Sequence, residues 1–430
     1  MNVSDSERIA TQLETDGFEI IPNADSADVV LLNTCSIREK AEHKLYTRIG
    51  QIRNTVNKKP FIGVLGCVAQ LEGETLFKLN SAIDFVVGTK AVGRISEAVE
   101  KVLDGKNKFA DLRDRDADYN WTVSPSHRHS PFVGFVPIIE GCNKFCTYCI
   151  VPFSRGREKS LTAAEIIRQI HILKRQGIRE VHLIGQNVNS YRPKSEEGFE
   201  GFSGATPFSR LLRAVAATGI ERIKFNTSFP RDFHTDIIRA IEENENLCNW
   251  VHLPVQSGSN AVLKIMRRGH SIESYMEKVD KIKSSDRKIS LTTDIIVGFP
   301  TESEENFAET VEMAEYCDFD SAYVFKYSPR PGTPAFEMND TISEQIKTER
   351  FLKLEKVLRE SQQQALKNHL NRTIKVLAER ISSKNNREMT GHTTCHKIVN
   401  FKAAADVLLG DIVNVKITEC KTNSLYGVVC

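Results

Sequence analysis

The chain has 430 residues, of which 27% are charged and 40% belong to the apolar set, so it has ample material for buried cores, and global disorder is excluded. At roughly 100–200 residues per domain this length implies two to four domains. Lys and Arg number 58 against 56 Asp and Glu, and a net charge of +2 excludes wholesale polyanion binding, leaving only local basic patches.

The chain opens on an amphipathic helix, SDSERIATQLETDGF, in which Ser4 and Glu7 have the spacing of a capping box. Residues 1–10 lack a signal peptide's basic and apolar segments, and no apolar run reaches the ~18 residues of a membrane span, so a cytoplasmic protein without a membrane partner is expected. In that reducing setting the 10 cysteines, unevenly spaced, favour a metal site over a disulfide framework. Next comes a twice-repeated unit, an apolar run ending in a cysteine with a helix after it: ADVVLLNTCSIREKAEHKL carries Cys35 and KPFIGVLGCVAQLEGETLF carries Cys67. In an open parallel sheet both thiols face the crevice outside the strands' carboxyl ends. AIDFVVGT is a third strand. A layer of this kind alternates strand and helix, so a chain that opens on a helix leaves a first strand to be expected upstream.

Residues 105–130 lose periodicity and read as an interdomain linker, setting an N-terminal open parallel α/β domain at 1–104. Six β-type runs follow over residues 131–340, each with a helical pattern after it: VGFVPII, VHLIG, RIKFN, NWVHLPV, LTTDIIVGF and SAYVFKY. Six βα units predict a partial barrel with function on the loops after the strands. RPKSEEGFEGFSGATP reads as a mobile surface loop. A connecting helix is expected over 341–362 and a small β-barrel over 363–430. From Ser361 onward ten Lys and Arg face five Asp and Glu, which makes the tail a candidate phosphate-tracking surface.

The strongest signal is IIEGCNKFCTYCIVPFSRGREKS, where Cys142, Cys146 and Cys149 follow a C-x3-C-x2-C spacing just after the first strand of the barrel region. Three thiolates can hold three irons of a 4Fe-4S cluster and leave the fourth open to an exogenous amine and carboxylate. Zinc is the competing reading, but a structural zinc site needs a fourth protein ligand, and no nearby Cys or His has that spacing. At the remaining strand ends Gln186, Asn226, Gln256 and Asp294 are candidates for cofactor contacts. Arg155, Arg157, Arg267 and Arg268 are candidates for nucleic-acid phosphates. His182, His252 and His270 read as structural or surface histidines, and Cys248, Cys317, Cys395, Cys420 and Cys430 as thiols without ligand spacing.

At the cysteine loop, with Tyr148 supplying the aromatic of C-x3-C-x-aromatic-C, the chain resembles the radical S-adenosylmethionine superfamily. More narrowly, LIGQNVNSY, NTSFPRDF, HLPVQSGSNAVLKIMRRG, TDIIVGFPTESEENF and YSPRPGTPA resemble the methylthiotransferases. Those have a cysteine-bearing α/β domain, a partial (βα)6 core and a C-terminal barrel of the TRAM type. GQNVNSY and HLPVQSGS resemble the branch that adds a methylthio group to carbon 2 of N6-isopentenyladenosine in tRNA. The resemblance implies a cluster on Cys142, Cys146 and Cys149 that binds S-adenosylmethionine and yields a 5′-deoxyadenosyl radical, with Tyr148 against the adenine. It implies a second 4Fe-4S cluster on Cys35, Cys67 and a third cysteine that precedes the MN with which this chain begins. The third ligand is therefore expected upstream of Met1, or else the chain keeps two of three. It further implies an anticodon stem-loop substrate, an electron donor such as a flavodoxin or ferredoxin, and a monomer. The alternatives are a threonylcarbamoyladenosine or ribosomal-protein substrate, or a catalytically silent RNA-binding paralogue.

Overall fold

The structure is a computed structural model that describes residues 1–35, 39–55, 59–113, 123–382, 385 and 388–430. It divides into two units: Met1–His129 with Glu140–Phe145 and Cys149–Lys159, and Ser130–Ile139 with Cys146–Tyr148 and Ser160–Cys430. Among the described residues no helix is long and apolar enough to cross a membrane.

The first unit is built on a parallel sheet in the order β1 (Val29–Thr34), β2 (Phe61–Gly66), β3 (Phe85–Gly88), β4 (Phe109–Asp111). Its helices are α1 (Asn2–Thr15), α2 (Glu39–Thr55), α3 (Cys67–Glu72), α4 (Thr75–Leu79) and α5 (Ile95–Leu103). β2 and β3 are apolar runs buried almost throughout, as central parallel strands must be, whereas edge strand β1 is half-buried. One core lies under Ile49, Ile52, Ile62, Val64 and Val86, the other under Ile9, Leu13, Phe85, Val87 and Val99.

Two expectations change here. α1 already begins at Asn2, so Ser4 lies inside the helix and caps nothing; the carboxylate of buried Glu7 instead accepts the backbone N–H of His129 (2.8 Å). The supposed linker contains β4, which pairs with β3 and is too short for any periodicity to show. Its Asp111 takes a two-pronged bond from Arg94 (2.7 and 2.8 Å), and Arg94 and then Arg113 hold that carboxyl well below the usual range. Linker residues 114–122 lie outside the described residues, as do Lys384 and Arg387 of the basic tail.

The second unit carries six parallel strands: β5 (Val133–Pro137), β8 (Glu180–Ile184) and β9 (Arg222–Phe225) form one ladder, and β10 (Trp250–His252), β11 (Ser290–Val297) and β12 (Ser321–Lys326) another. A parallel bridge, Ile223 to Leu247, joins the two segments. The short strands β6 (Ile139–Glu140) and β7 (Lys159–Ser160) pair around the cysteine loop, which contains α6 (Val151–Arg155). Helices α7 (Ala163–Arg175), α8 (Pro207–Ala216), α9 (Asp236–Glu243), α10 (Asn260–Ile265), α11 (Ile272–Lys283) and α12 (Glu304–Cys317) lie between the strands in sequence. In α7 the buried residues Ala163, Ile166, Ile170 and Leu173 recur every three or four positions, and Thr162 with Glu165 closes a full capping box. The polar insertion after β8 is anchored, with Phe199 buried against Tyr191 and under the Arg210 guanidinium.

The connecting helix α13 runs over Glu344–Lys367, beyond the expected end. A closed barrel follows in the order β13 (Thr373–Ile381), β14 (Glu388–Thr393), β15 (Ile398–Lys402), β17 (Leu425–Val429), β16 (Ile412–Cys420). Val376, Val399, Phe401, Val415 and Ile417 fill it. It seats on the amino-terminal end of the sheet: Arg222 donates to the carbonyls of His392 and Lys375 (both 3.0 Å), and Lys397 of the basic tail is buried against Asp320. Fully buried Glu180 accepts from His182 (2.6 Å) and His392 (2.9 Å), and His392 also reaches Glu379 (2.8 Å).

That seat makes stability pH-dependent. Burial alone lowers the pKa of His392, but Glu180 and Glu379 outweigh it and push it up to about 9, so its contribution is complete below the ordinary value of 6.5 and disappears as pH rises through 9. Burial holds His182 and His396 below 6.5, which favours the fold as pH rises towards 6.5. Burial also lowers Lys224 to about 8, a cost relieved only above that pH. Of these four groups only His392 changes its contribution between pH 6.5 and 8, and it falls. The denaturation midpoint is expected to fall across that window, and His392→Gln to flatten it.

Candidate active site

In the first unit Cys35 follows the last residue of β1, and Cys67 follows Gly66, the last residue of β2; Thr34 and Gly66 are register partners. Both thiols therefore stand at carboxyl ends of neighbouring parallel strands. Gly66 has φ +90°, and a Cβ there would stand 2.4 Å from the Thr34 carbonyl oxygen, so this close approach demands glycine.

Arg155, at the end of α6, is buried and pairs with Asp5 and with Glu140 (3.0 Å). Burial opposes its charge, but Asp5, Cys67 and Glu140 hold the guanidinium protonated. α6 packs on α3, the helix that Cys67 opens, and Thr89 donates to the Ser154 carbonyl. The segment after Cys149 thus lies on the Cys67 helix. The ends of the cysteine loop are cinched together: Cys142 N–H donates to Gly156 O (3.0 Å), Lys144 pairs with Glu158 (3.6 Å), and a Cβ on Gly141 would stand 2.2 Å from Arg157 O. Cys142 is buried and Cys149 half-buried.

In the second unit the middle of the loop is fixed by its backbone. Thr147 N–H donates to Met266 O (3.1 Å), its hydroxyl to Ile265 O (3.0 Å), and Ala335 N–H to Thr147 O (2.8 Å). Tyr148 packs beside Val262, Met266, Phe299 and Tyr327. Arg268 joins these parts: it donates to Pro254 O (2.6 Å), lies 3.5 Å from Cys146 Sγ and 3.4 Å from the Tyr148 hydroxyl, and stacks 4.4 Å over Phe229. Arg155 and Arg268 are buried, not on the surface expected for phosphate contacts; Arg157 and Arg267 are exposed. The spacing MRRG gives no sign that its second arginine turns inward.

Gln186 and Asn226 stand just beyond β8 and β9, and the side-chain oxygen of each is buried without a hydrogen-bond partner. Such oxygens fit a ligand that brings donors, such as an α-amine or ribose hydroxyls, so these residues fit the expected cofactor. Gln256 has φ +76°, and its N–H donates to Asp294 O (2.9 Å). Asp294 lies within β11 and not at its end, but β10 stops opposite Thr292, and beyond it Gln256 bridges Ile295, the residue after Asp294. His252 reaches Thr292 (3.0 Å) and Asp294 (3.4 Å), contacts that sequence reading did not assign to it. Cys248, Cys317 and Cys395 are buried, and burial raises each thiol's pKa; none belongs to this arrangement.

Profiles of the Radical SAM superfamily, the uncharacterized protein family UPF0004 and the TRAM domain match residues 136–314, 1–88 and 368–430. The chain is 38% identical over 431 residues to the tRNA-2-methylthio-N(6)-dimethylallyladenosine synthase of Koribacter versatilis, covering 99% of this chain and 95% of that one. It is 40% identical to the synthases of that name from Acetivibrio thermocellus (99% and 88% covered) and Bacillus velezensis (100% and 84%). In fold it is similar to TsrM, a radical S-adenosylmethionine methyltransferase from Kitasatospora setae, with a TM-score of 0.57 at 14% identity over 77% of this chain and 73% of that one.

Proposed function

Because the chain belongs to the family of tRNA-2-methylthio-N(6)-dimethylallyladenosine synthases, we propose that it adds a methylthio group to carbon 2 of N6-isopentenyladenosine in tRNA, beside the anticodon. The observation that carries this reading is end-to-end similarity to those synthases in a chain that keeps the three-cysteine loop beside the barrel strands. Carbon 2 of an adenine bears an unactivated C–H bond that no protein base removes usefully, so the hard step belongs to a cofactor. A 4Fe-4S cluster with S-adenosylmethionine supplies, when bound, the radical that this bond requires.

The chain's own residues bind and orient. Cys142, Cys146 and Cys149 would hold the cluster, with Arg268 keeping the loop against Pro254 and Tyr148. Gln186 and Asn226 would receive the donors of the bound cofactor, and Gln256, Asp294 and Tyr148 would border it. Cys35 and Cys67 would hold a second cluster with a third ligand, and Arg155 keeps the loop's second half on the Cys67 helix. Exposed Arg157 and Arg267 and the C-terminal barrel would meet tRNA phosphates. A flavodoxin- or ferredoxin-type donor, a cytoplasmic setting and a monomer complete the proposal.

Mass spectrometry of tRNA nucleosides tests it. A strain lacking this gene is expected to accumulate N6-isopentenyladenosine without its methylthio derivative, and to recover the derivative on complementation. Loss of methylthio-threonylcarbamoyladenosine instead would move the enzyme to another branch.

A further inference from the structure

Glu180 and His182 lie two apart on β8, at the amino-terminal end of the sheet and remote in sequence from every cysteine. The turn between β14 and β15 brings His396 onto them. The His182 ring meets the His396 ring edge to face at 5.4 Å, and His392 stacks on His396 at 4.5 Å. His182 Nε2 lies 2.6 Å and His396 Nε2 3.7 Å from the same Glu180 oxygen. The second distance is too long for a hydrogen bond, and His396 Nε2 is buried with no partner. An unpaired nitrogen aimed at a buried carboxylate is costly unless something joins the two.

We propose that Glu180, His182 and His396 form a three-ligand binding site for a first-row divalent transition cation, zinc fitting best with water in its fourth position, at the seat of the C-terminal barrel. The three ligand atoms lie within 4.8 Å of one another. Tetrahedral ligands at 2.0–2.1 Å from zinc stand about 3.3 Å apart, between the two distances measured here. Imidazole and carboxylate donors suit zinc and exclude soft iron-sulfur chemistry from this place. The support around the ligands is also that of a metal site: His392 bonds the other Glu180 oxygen (2.9 Å) and is itself held by Glu379 (2.8 Å). Arg222 (3.8 Å from Glu180) and Lys224, stacked over Trp250, are the opposing charges. The metal would join β8 of the partial barrel to the β14–β15 turn, a clasp separate from the catalytic chemistry.

The test uses the full chain with its iron-sulfur cluster assembled anaerobically, so that Cys142, Cys146 and Cys149 are occupied. After incubation with zinc chloride and gel filtration, metal analysis is expected to find about one zinc per chain beyond the iron. His396→Asn suits the left-handed backbone there (φ +61°) and should abolish retention, while His392→Gln should weaken affinity roughly 10–100-fold. Iron content should not change in either variant. X-ray absorption at the zinc edge should show nitrogen and oxygen neighbours without sulfur, a readout that requires no variant. No retained zinc, equal retention by His396→Asn, or sulfur in the zinc shell would overturn the proposal.

Discussion

Replacing Cys146 with alanine is expected to abolish methylthio transfer and to reduce S-adenosylmethionine cleavage to the uncatalysed background. Cys146 is buried in the middle of a loop whose backbone is fixed through Thr147 to Met266 and Ala335, so neither neighbouring thiol can move into its place. Two thiolates do not hold the cluster that three do, and the variant should lose about four irons per chain. Its circular dichroism should remain that of the parent, because the loop's hydrogen bonds are made by Thr147. Cys67→Ala gives the contrast. Cys67 belongs to the other set of cysteines, so in a protein that also carries the expected third ligand 5′-deoxyadenosine should still form while the methylthio product disappears. Equal loss of both activities in Cys67→Ala would merge the two roles that the account keeps apart.

Arg268→Met carries the second large effect. The guanidinium reaches Cys146 Sγ, the Tyr148 hydroxyl and the Pro254 carbonyl, and stacks on Phe229; methionine fills much of that volume and keeps none of the donors. A preorganised donor beside developing charge is worth about 10²–10³ in rate, and a fall of that order in 5′-deoxyadenosine formation is expected at unchanged iron content. Arg268→Lys should not rescue it, because a single ammonium cannot span three partners in the planar fork that arginine provides. An unchanged rate in the methionine variant would reduce Arg268 to packing.

Much of the architecture is legible in the chain because it is local. The six β-type runs of the barrel are short stretches set between helical patterns, and each is a strand in the structure, although β12 is half-buried or exposed throughout. The cysteine loop is equally plain, since its ligands lie within eight residues. What the sequence hides depends on distant partners. Arg155 and Arg268 look like surface bases until Asp5, 150 residues from the first, and Pro254 are folded against them. Glu180 and His392 are 212 residues apart, and only the Glu-x-His of one strand and the His-x3-His of the tail hint that they belong together. β4 escapes notice for a third reason: three residues carry no period, and its key feature is the ion pair of Asp111 with Arg94.

The measurement that bears most directly on the account is the product formed when the anaerobically reconstituted chain is reduced in the presence of S-adenosylmethionine. A brown protein that releases 5′-deoxyadenosine is expected, with release abolished by Cys146→Ala. A colourless protein that holds zinc at Cys142, Cys146 and Cys149 and leaves S-adenosylmethionine intact would contradict it.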